Sequence, residues 1–444
     1  MTADPFLYPR GLPLEHGPCG LGCVISGTQT RAAGGEDHIG AVQIRPLAKD
    51  SANLDRGIGD HGAGGHVMAL LGTPMPNHVA TCVFAAAMVT SSSPTLGLAI
   101  PSILILSGLC VLGSCRSSPI HTGSWQPLTS GVSVSLRGLC AVDANVVWAT
   151  GSAGTVLRSI DGGRAFDVRR LPGEASNEVR DVHAFDGSTA FVMACQPARI
   201  YRTTDGGVTF DKVLDAGDAA AFFDGLSFFN RACGVVFGDP IDGHFMVYTT
   251  EDGGTTWQRV SADRMPPALP GEGGFAASGT CLTVDELGQA WIGTGIAAAR
   301  VLRSRDEGRS WQVVSTPMSF GASQGIFSLA FRHGGRIGVA VGGDYQPANR
   351  STKHAATTTD GGRTWRLALD GPPRRFRSCA VYVPGRPGTL IAVGPSGTDY
   401  SSDDGRRWRA LSDIGFHVVS FAPDGTGFAA GSGGRVARFA MAGR

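Results

Sequence analysis

From Leu136 onward the apolar residues of this chain come in short runs of about five or six, each closed by Gly, Asp, Asn or Ser. "LRGLCAVDANVVWATGSAGTVLRS" (136–159) and "VRDVHAFDGSTAFVMACQPARIYRT" (179–203) each divide into three such runs. That length and rhythm predict β-strands joined by tight turns. No stretch of this region sustains the 3.6-residue period of an amphipathic helix, so the pattern predicts an all-β domain.

After every third run comes a segment of one kind. Six align without gaps: "SIDGGRAFDV" from Ser159, "TTDGGVTFDK" from Thr203, "TEDGGTTWQR" from Thr250, "SRDEGRSWQV" from Ser304, "TTDGGRTWRL" from Thr358 and "SSDDGRRWRA" from Ser401. An aspartate (Asp161, Asp205, Asp252, Asp306, Asp360, Asp403) precedes an aromatic by five residues in each, and successive aspartates lie 44, 47, 54, 54 and 43 residues apart. That spacing is one supersecondary unit of four short strands. The Asp carboxylate accepts from amides just beyond it and closes a turn. A glycine two residues after the Asp takes a positive φ, and the aromatic opens the fourth strand.

These segments resemble the Asp-box, or bacterial neuraminidase repeat. The resemblance implies a turn joining strands three and four of a β-propeller blade, with the six aspartates as scaffold. From Gly123 to Leu411 the spacing and style are similar to the photosystem II assembly and stability factor family and its bacterial relatives. That likeness implies a propeller outside the cytoplasm that binds protein partners.

The two ends of the domain complete each other. After the sixth segment, "FHVVSFAPDGTGFAAGSGGRVARFAMAGR" (416–444) supplies three strands and no fourth. "GSWQPLTSG" (123–131) supplies a fourth strand with nothing before it, Trp125 standing where Trp257 and Trp408 stand in their units. Six full blades and one shared blade make a seven-bladed β-propeller, monomeric, over 123–444 and closed by its N-terminal strand.

Composition adjusts this picture only at its edges. With 65 Gly and 17% charged residues, the chain suits many turns and few solvated helices. A net charge of +1 argues against a nucleic-acid partner, which calls for a clustered basic face. Residues 1–78 are Gly-rich and polar, either of low order or upstream of the true start. Residues 79–115 hold no charge and end in "LGSC", either a lipoprotein-type export signal with Cys115 as lipidation site or a membrane anchor; 116–122 is a linker. Either way the propeller is expected outside the cytoplasm, periplasmic or on the outer surface and associated with a membrane through this segment. Two cysteines in "CGLGC" (19–23) without a second pair do not make a metal site, and no metal or other cofactor is expected. Five cysteines in the propeller, in apolar strand contexts, read as buried thiols.

Three functions remain to weigh. Glycoside hydrolysis is the alternative that the Asp-box resemblance raises. Sialidase chemistry, however, needs an arginine cluster and a Tyr–Glu pair, and no tyrosine has a Glu partner visible in the sequence. Paired acids of another hydrolase would come from Asp239, Asp242, Glu272, Asp344 and Asp399. A nicotinamide enzyme fails on context: "GTGIAA" (293–298) matches a dinucleotide fingerprint as a string but has no room for a βαβ unit. The favoured reading is a non-catalytic module for protein binding or complex assembly, its partner a protein or an extracellular glycan. Its ligand face would be the one opposite the Asp segments. There the long connections "GDPIDGH" (238–244), "PALPGEGGFAASGT" (267–280), "GGDYQPANRSTKH" (342–354) and "GPSGTDY" (394–400) contrast with "GSAG" and "GSGG" in the first and last units. The residues put forward there are Arg137, Arg180, Asp239, Glu272, Asp344, Tyr345, Arg377, Asp399 and Tyr400. The three arginines, each just before an innermost strand, would either be solvated loop charges or blade-to-blade salt bridges, or converge into a basic ring around a channel mouth, faced by Asp239, Asp344 and Asp399.

Overall fold

The computed structural model describes residues 123–346 and 353–440. The expected low-order segment, the apolar export or anchor segment with Cys115, the linker and part of the 342–354 connection lie outside the described residues. Within them, 28 strands form seven four-stranded antiparallel sheets. Strand β1 (Ser124–Leu128) comes first and alone. Blade one follows with β2 (Leu136–Ala141), β3 (Val147–Gly151), β4 (Thr155–Ser159) and β5 (Asp167–Arg170). Blade two holds β6 (Val179–Ala184), β7 (Ala190–Ala194), β8 (Arg199–Thr203) and β9 (Asp211–Asp215). Blade three holds β10 (Phe223–Phe228), β11 (Gly234–Ile241), β12 (His244–Thr250) and β13 (Gln258–Arg259). Blade four holds β14 (Leu282–Val284), β15 (Ala290–Gly293), β16 (Arg300–Ser304) and β17 (Gln312–Ser315). Blade five holds β18 (Gln324–Phe331), β19 (Gly338–Asp344), β20 (Ala355–Thr358) and β21 (Arg366–Leu367). Blade six holds β22 (Cys379–Tyr382), β23 (Leu390–Gly394), β24 (Gly397–Ser401) and β25 (Arg409–Ser412). Blade seven is β26 (Val418–Phe421), β27 (Gly427–Ala430) and β28 (Val436–Ala440), with β1 as its fourth strand. Each blade's first strand packs against those of its two neighbours, from β2 round to β26 and back to β2, so the fold is a closed seven-bladed propeller.

The expected clasp is therefore present, with Ser124 opposite Ala440 and Leu128 opposite Val436. Trp125 is buried, its ring centroid 5.0 Å from Phe416 and 4.9 Å from Phe439. A buried aromatic of this size contributes on the order of 3–5 kcal/mol relative to Ala. In blades three, four and six the equivalent indole Nε1 donates to the carbonyl of the turn before it, Trp257 to Gly254, Trp311 to Gly308 and Trp408 to Gly405. Trp125 Nε1 donates instead across to Thr398 Oγ1 of blade six at 3.1 Å. This replacement bond ties the clasp to the neighbouring blade as well as its own.

Apolar cores lie between blades. One joins Val235, Phe237 and Val247 of blade three to Ile292, Leu302 and Trp311 of blade four. The turns between strands three and four show why the repeat is uniform. In all six, the first residue's hydroxyl donates to the Asp Oδ1 at 2.7–2.9 Å and accepts from the glycine amide four residues on at 2.9–3.0 Å. The Asp in turn accepts from amides further along, as Asp252 does from Thr255 and Thr256 at 2.9 Å. The shared glycines sit at φ between +76° and +86°, as the sequence predicted. At Gly254 a Cβ would also come within 2.4 Å of the Phe191 ring, so the turn packs as tightly as it bends.

Candidate functional site

The face opposite these turns carries the connections between strands two and three and those between blades. Two of the expected long loops are shorter than the sequence suggests. "GDPIDGH" is the tip of a β11–β12 hairpin whose ladder closes at Ile241 and His244, and "GPSGTDY" is strand β24 from Gly397 onward. Tyr400 consequently lies within β24, opposite Ile391, partly buried against the core and one residue before the Asp turn. The sequence had placed it on the ligand face; strand pairing carries it away.

Arg137 and Arg180 occupy a bulge in the innermost strands β2 and β6, with Asp224 and Phe327 at the same step of β10 and β18. The extra residue turns these four side chains, of three kinds, out of the ladder at one height around the axis. Arg377 belongs one step earlier: its amide donates to Gly342 O, as that of Leu136 does to Gly431 O. None of the three arginines is a solvated charge, their exposures being 1%, 5% and 0% for Arg137, Arg180 and Arg377. The reading of these arginines as solvated loop charges is corrected on that point.

The reason differs for each. Arg377 Nη2 donates to Asp399 Oδ2 at 2.7 Å with Nε alongside at 3.0 Å, both side chains fully buried. Asp399 also accepts from Arg374 Nε at 2.9 Å, and Arg374 reaches on to Asp413 at 3.0 Å. This closed network fastens the connection before blade six to β24. Burial lowers the Arg377 pKa from its ordinary value, against the Asp399 charge that raises it. Arg180 Nη1 reaches Ala276 O at 3.4 Å, in the connection before blade four, and its Nε lies 3.5 Å from Glu178 Oε2.

The other carboxylates also hold loops. Glu272 takes Arg300 Nε at 2.8 Å and Nη2 on its second oxygen, Thr294 Oγ1 at 2.6 Å and the Leu269 amide at 2.9 Å. Asp239 Oδ1 accepts the Gly274 amide at 2.9 Å. Asp344 accepts Ser323 Oγ at 2.7 Å and Gln324 Nε2 at 3.0 Å. Tyr345 rests its ring edge on Phe275 and Phe327, which stack at 3.9 Å. Ile296, from the string resembling a dinucleotide fingerprint, packs on this aromatic cluster at φ +70°, a left-handed conformation unusual for a β-branched residue.

Beyond the residues put forward from the sequence, Arg435 and His417 stand with Arg137 and Arg180, in a group that also holds Asp181, Asp224 and Glu178. Arg137, Arg180 and Arg435 all act on His417, which is buried with its Nε2 2.8 Å from Ser432 Oγ. Desolvation first, then these three charges, hold His417 well below its usual pKa and therefore neutral. His417 takes in blade seven the place of the bulge residues, directly before its first strand; that register was the available signal. Arg435 lay in the short "GSGG" connection, and its brevity hid it.

Two further groups bear on chemistry. Tyr201 does have a carboxylate partner, Glu174 Oε1 at 2.5 Å, contrary to the expectation from sequence. Burial, and then this bond, push the phenol up to about 12, so it keeps its proton. Glu174 also takes Arg199 and Asn177, at 2.8 Å each, and so pins the connection between blades one and two. Asp181, buried between the Val182 and Leu226 amides, is raised to about 7 by desolvation. Cys140, Cys195, Cys233, Cys281 and Cys379 are free thiols, and among the described residues no cluster of ligating side chains suits a metal ion.

No protein-family model and no curated protein sequence matches the chain. Solved structures do. The chain is similar to YCF48 bound to D1 peptide, with TM-score 0.54 and 17% identity over 72% of this chain and 97% of that one. YCF48 from Cyanidioschyzon merolae follows at 0.52 and 17%, over 71% and 98%. An ancestral GH74 enzyme stands at 0.53 and 16%, over 70% of this chain but 45% of the enzyme. At such identities the likeness establishes the propeller fold and nothing finer.

Proposed function

We propose that the chain is an exported, non-catalytic propeller that binds a protein partner on the face opposite its Asp turns and serves the assembly or stability of a complex. Membrane attachment through residues 79–115, with Cys115 lipidated, belongs to the same proposal. The observation that carries it is the division of labour among charged groups. Asp239, Glu272, Asp344 and Asp399 each bond to the loops they support, while Arg435 stands exposed beside His417, with Arg137 and Arg180 buried near it and Arg180 also 3.5 Å from Glu178. An exposed Arg435 within a wide, loop-built face suits an acidic protein surface, steering it and fixing its register. YCF48 bound to D1 peptide supplies a propeller of this fold holding a peptide. Glycoside hydrolysis, with Asp-box and GH74 propellers as its models, draws support from fold alone.

Cross-linking of the purified full chain to extracytoplasmic extract, in wild type and Arg180→Gln, tests this. The expected result is a partner cross-linked to the loop face that is lost in the variant at a temperature where the variant is still fully folded. Cleavage of β-glucan or sialoside polymers by the same preparation would overturn it.

A further inference from the structure

Between blades seven and one the loop face opens into a cavity of about 790 Å³, lined by Leu128–Val134, Val168, Arg170 and Gly433–Arg435. Its volume lies in the range of about 300–1,000 Å³ typical of ligand sites. The walls are firm: Ser130 Oγ donates to Gly434 O at 2.6 Å, and the Gly434 amide donates to Val134 O at 2.6 Å. At Gly434 a Cβ would come within 1.8 Å of Val132 O, so the wall admits glycine alone.

The lining combines two properties. No acidic residue is among it, yet two guanidiniums are. Arg170 Nη1 donates to Ala153 O at 2.7 Å and to Thr155 Oγ1, and Arg435 Nη1 donates to Gly415 O at 2.7 Å. Neither meets a carboxylate among the described residues, whereas Arg300, Arg374 and Arg377 on the same face all do. Beside these charges Leu128, Val132, Val134 and Val168 present aliphatic surface, with Val168 38% exposed. Arg435 is at once a wall of this cavity and a neighbour of His417.

We propose that this cavity binds an extended acidic peptide segment, a carboxylate meeting Arg170 or Arg435 and a neighbouring aliphatic side chain lying against Leu128 and the valines. The proposal rests on the loop face being the partner surface and names the segment chemistry it takes. A guanidinium binds a carboxylate with a charge-assisted fork. The aliphatic floor favours a peptide over a small free dicarboxylate, which has nothing to bury there.

The probes are capped tetrapeptides pairing Glu or Asp with Leu or Val, their Gln and Asn isosteres, and free glutarate, titrated calorimetrically into the full chain. Acidic peptides should bind at least about tenfold more tightly than isosteres or glutarate, and more weakly as salt rises. Arg170→Gln should weaken them about tenfold, and Ser133→Trp, which fills the cavity and leaves both charges, should abolish binding. Both variants should melt as wild type does. Absence of binding by every acidic peptide, indifference to both substitutions, or glutarate binding as tightly as peptide would each overturn the site. Partner cross-links lost in Arg180→Gln but kept in Arg170→Gln and Ser133→Trp would overturn the cavity while leaving partner binding standing; cross-links absent from wild type would remove the broader proposal first.

Discussion

The two faces of this propeller are built on opposite terms. On the turn face one hydrogen-bond pattern recurs six times, although the residue after the Asp changes from Gly to Glu or Asp, and the aromatic from Phe to Trp. On the loop face the carboxylate anchors differ from connection to connection: Glu272 uses an arginine and a threonine, Asp239 a lone amide, Asp399 two arginines. What every blade repeats is what a blade requires in order to form. Features that do not recur from blade to blade are left over for something else, and the arginines about His417 and the cavity beside them are of that kind.

The strongest way to break this contrast is Arg377→Ala. If loop-face charges were all available to ligands, the substitution would scarcely alter stability. Because the Arg377–Asp399 pair is fully buried, we expect a loss of about 3–5 kcal/mol in urea unfolding, nearer the lower figure because Arg374 still reaches Asp399. A change below about 1 kcal/mol would mean that the pair is not a structural part of this face.

Acid and neutral pH should separate the regions next. Asp252 is held at about 2 by the Thr256 hydroxyl and amide. Its folded value is thus depressed, so its contribution is present above the ordinary carboxylate range near pH 4 and lost as pH falls towards 2. Asp181 is raised to about 7, so the folded state keeps a proton that the unfolded state has released, and stability declines as pH rises from about 4 to about 7. Urea midpoints measured from pH 2 to 8 should show Asp252→Asn flattening the acid limb only, and Asp181→Asn the limb towards neutrality only.

Seven blades and their clasp were legible because periodicity survives without knowledge of contacts: a count of Asp segments and two complementary half-units sufficed. The Ser or Thr two residues before each Asp was equally constant and was passed over, although its hydroxyl bridges every turn. The loop face was legible only as a list of polar residues. Whether Arg377 is solvated or buried depends on Asp399, 22 positions away, and the second anchor of Trp125 lies 273 positions away. Charge type and strand order do not encode such pairings, so Arg377 was placed correctly along the chain and wrongly with respect to water.

The smallest expected effect makes the sharpest control. Arg375 is exposed two residues before the buried Arg377. Arg375→Ala should leave unfolding within about 0.5 kcal/mol of wild type, and a larger loss would show that the connection depends on more than its one closed network.

The register of the clasp also has a mechanical meaning. Ser124 faces Ala440 and Leu128 faces Val436, so both ends of the pairing emerge together at the turn face. Force drawn between the chain before Ser124 and the chain after Ala440 acts on one pair at a time, peeling β1 from β28 like a zipper instead of shearing five pairs together. A pull on the loop face meets closed rings of strands, whereas a pull between the termini meets the seam. The ring should yield first, and at low force, where its two ends were joined.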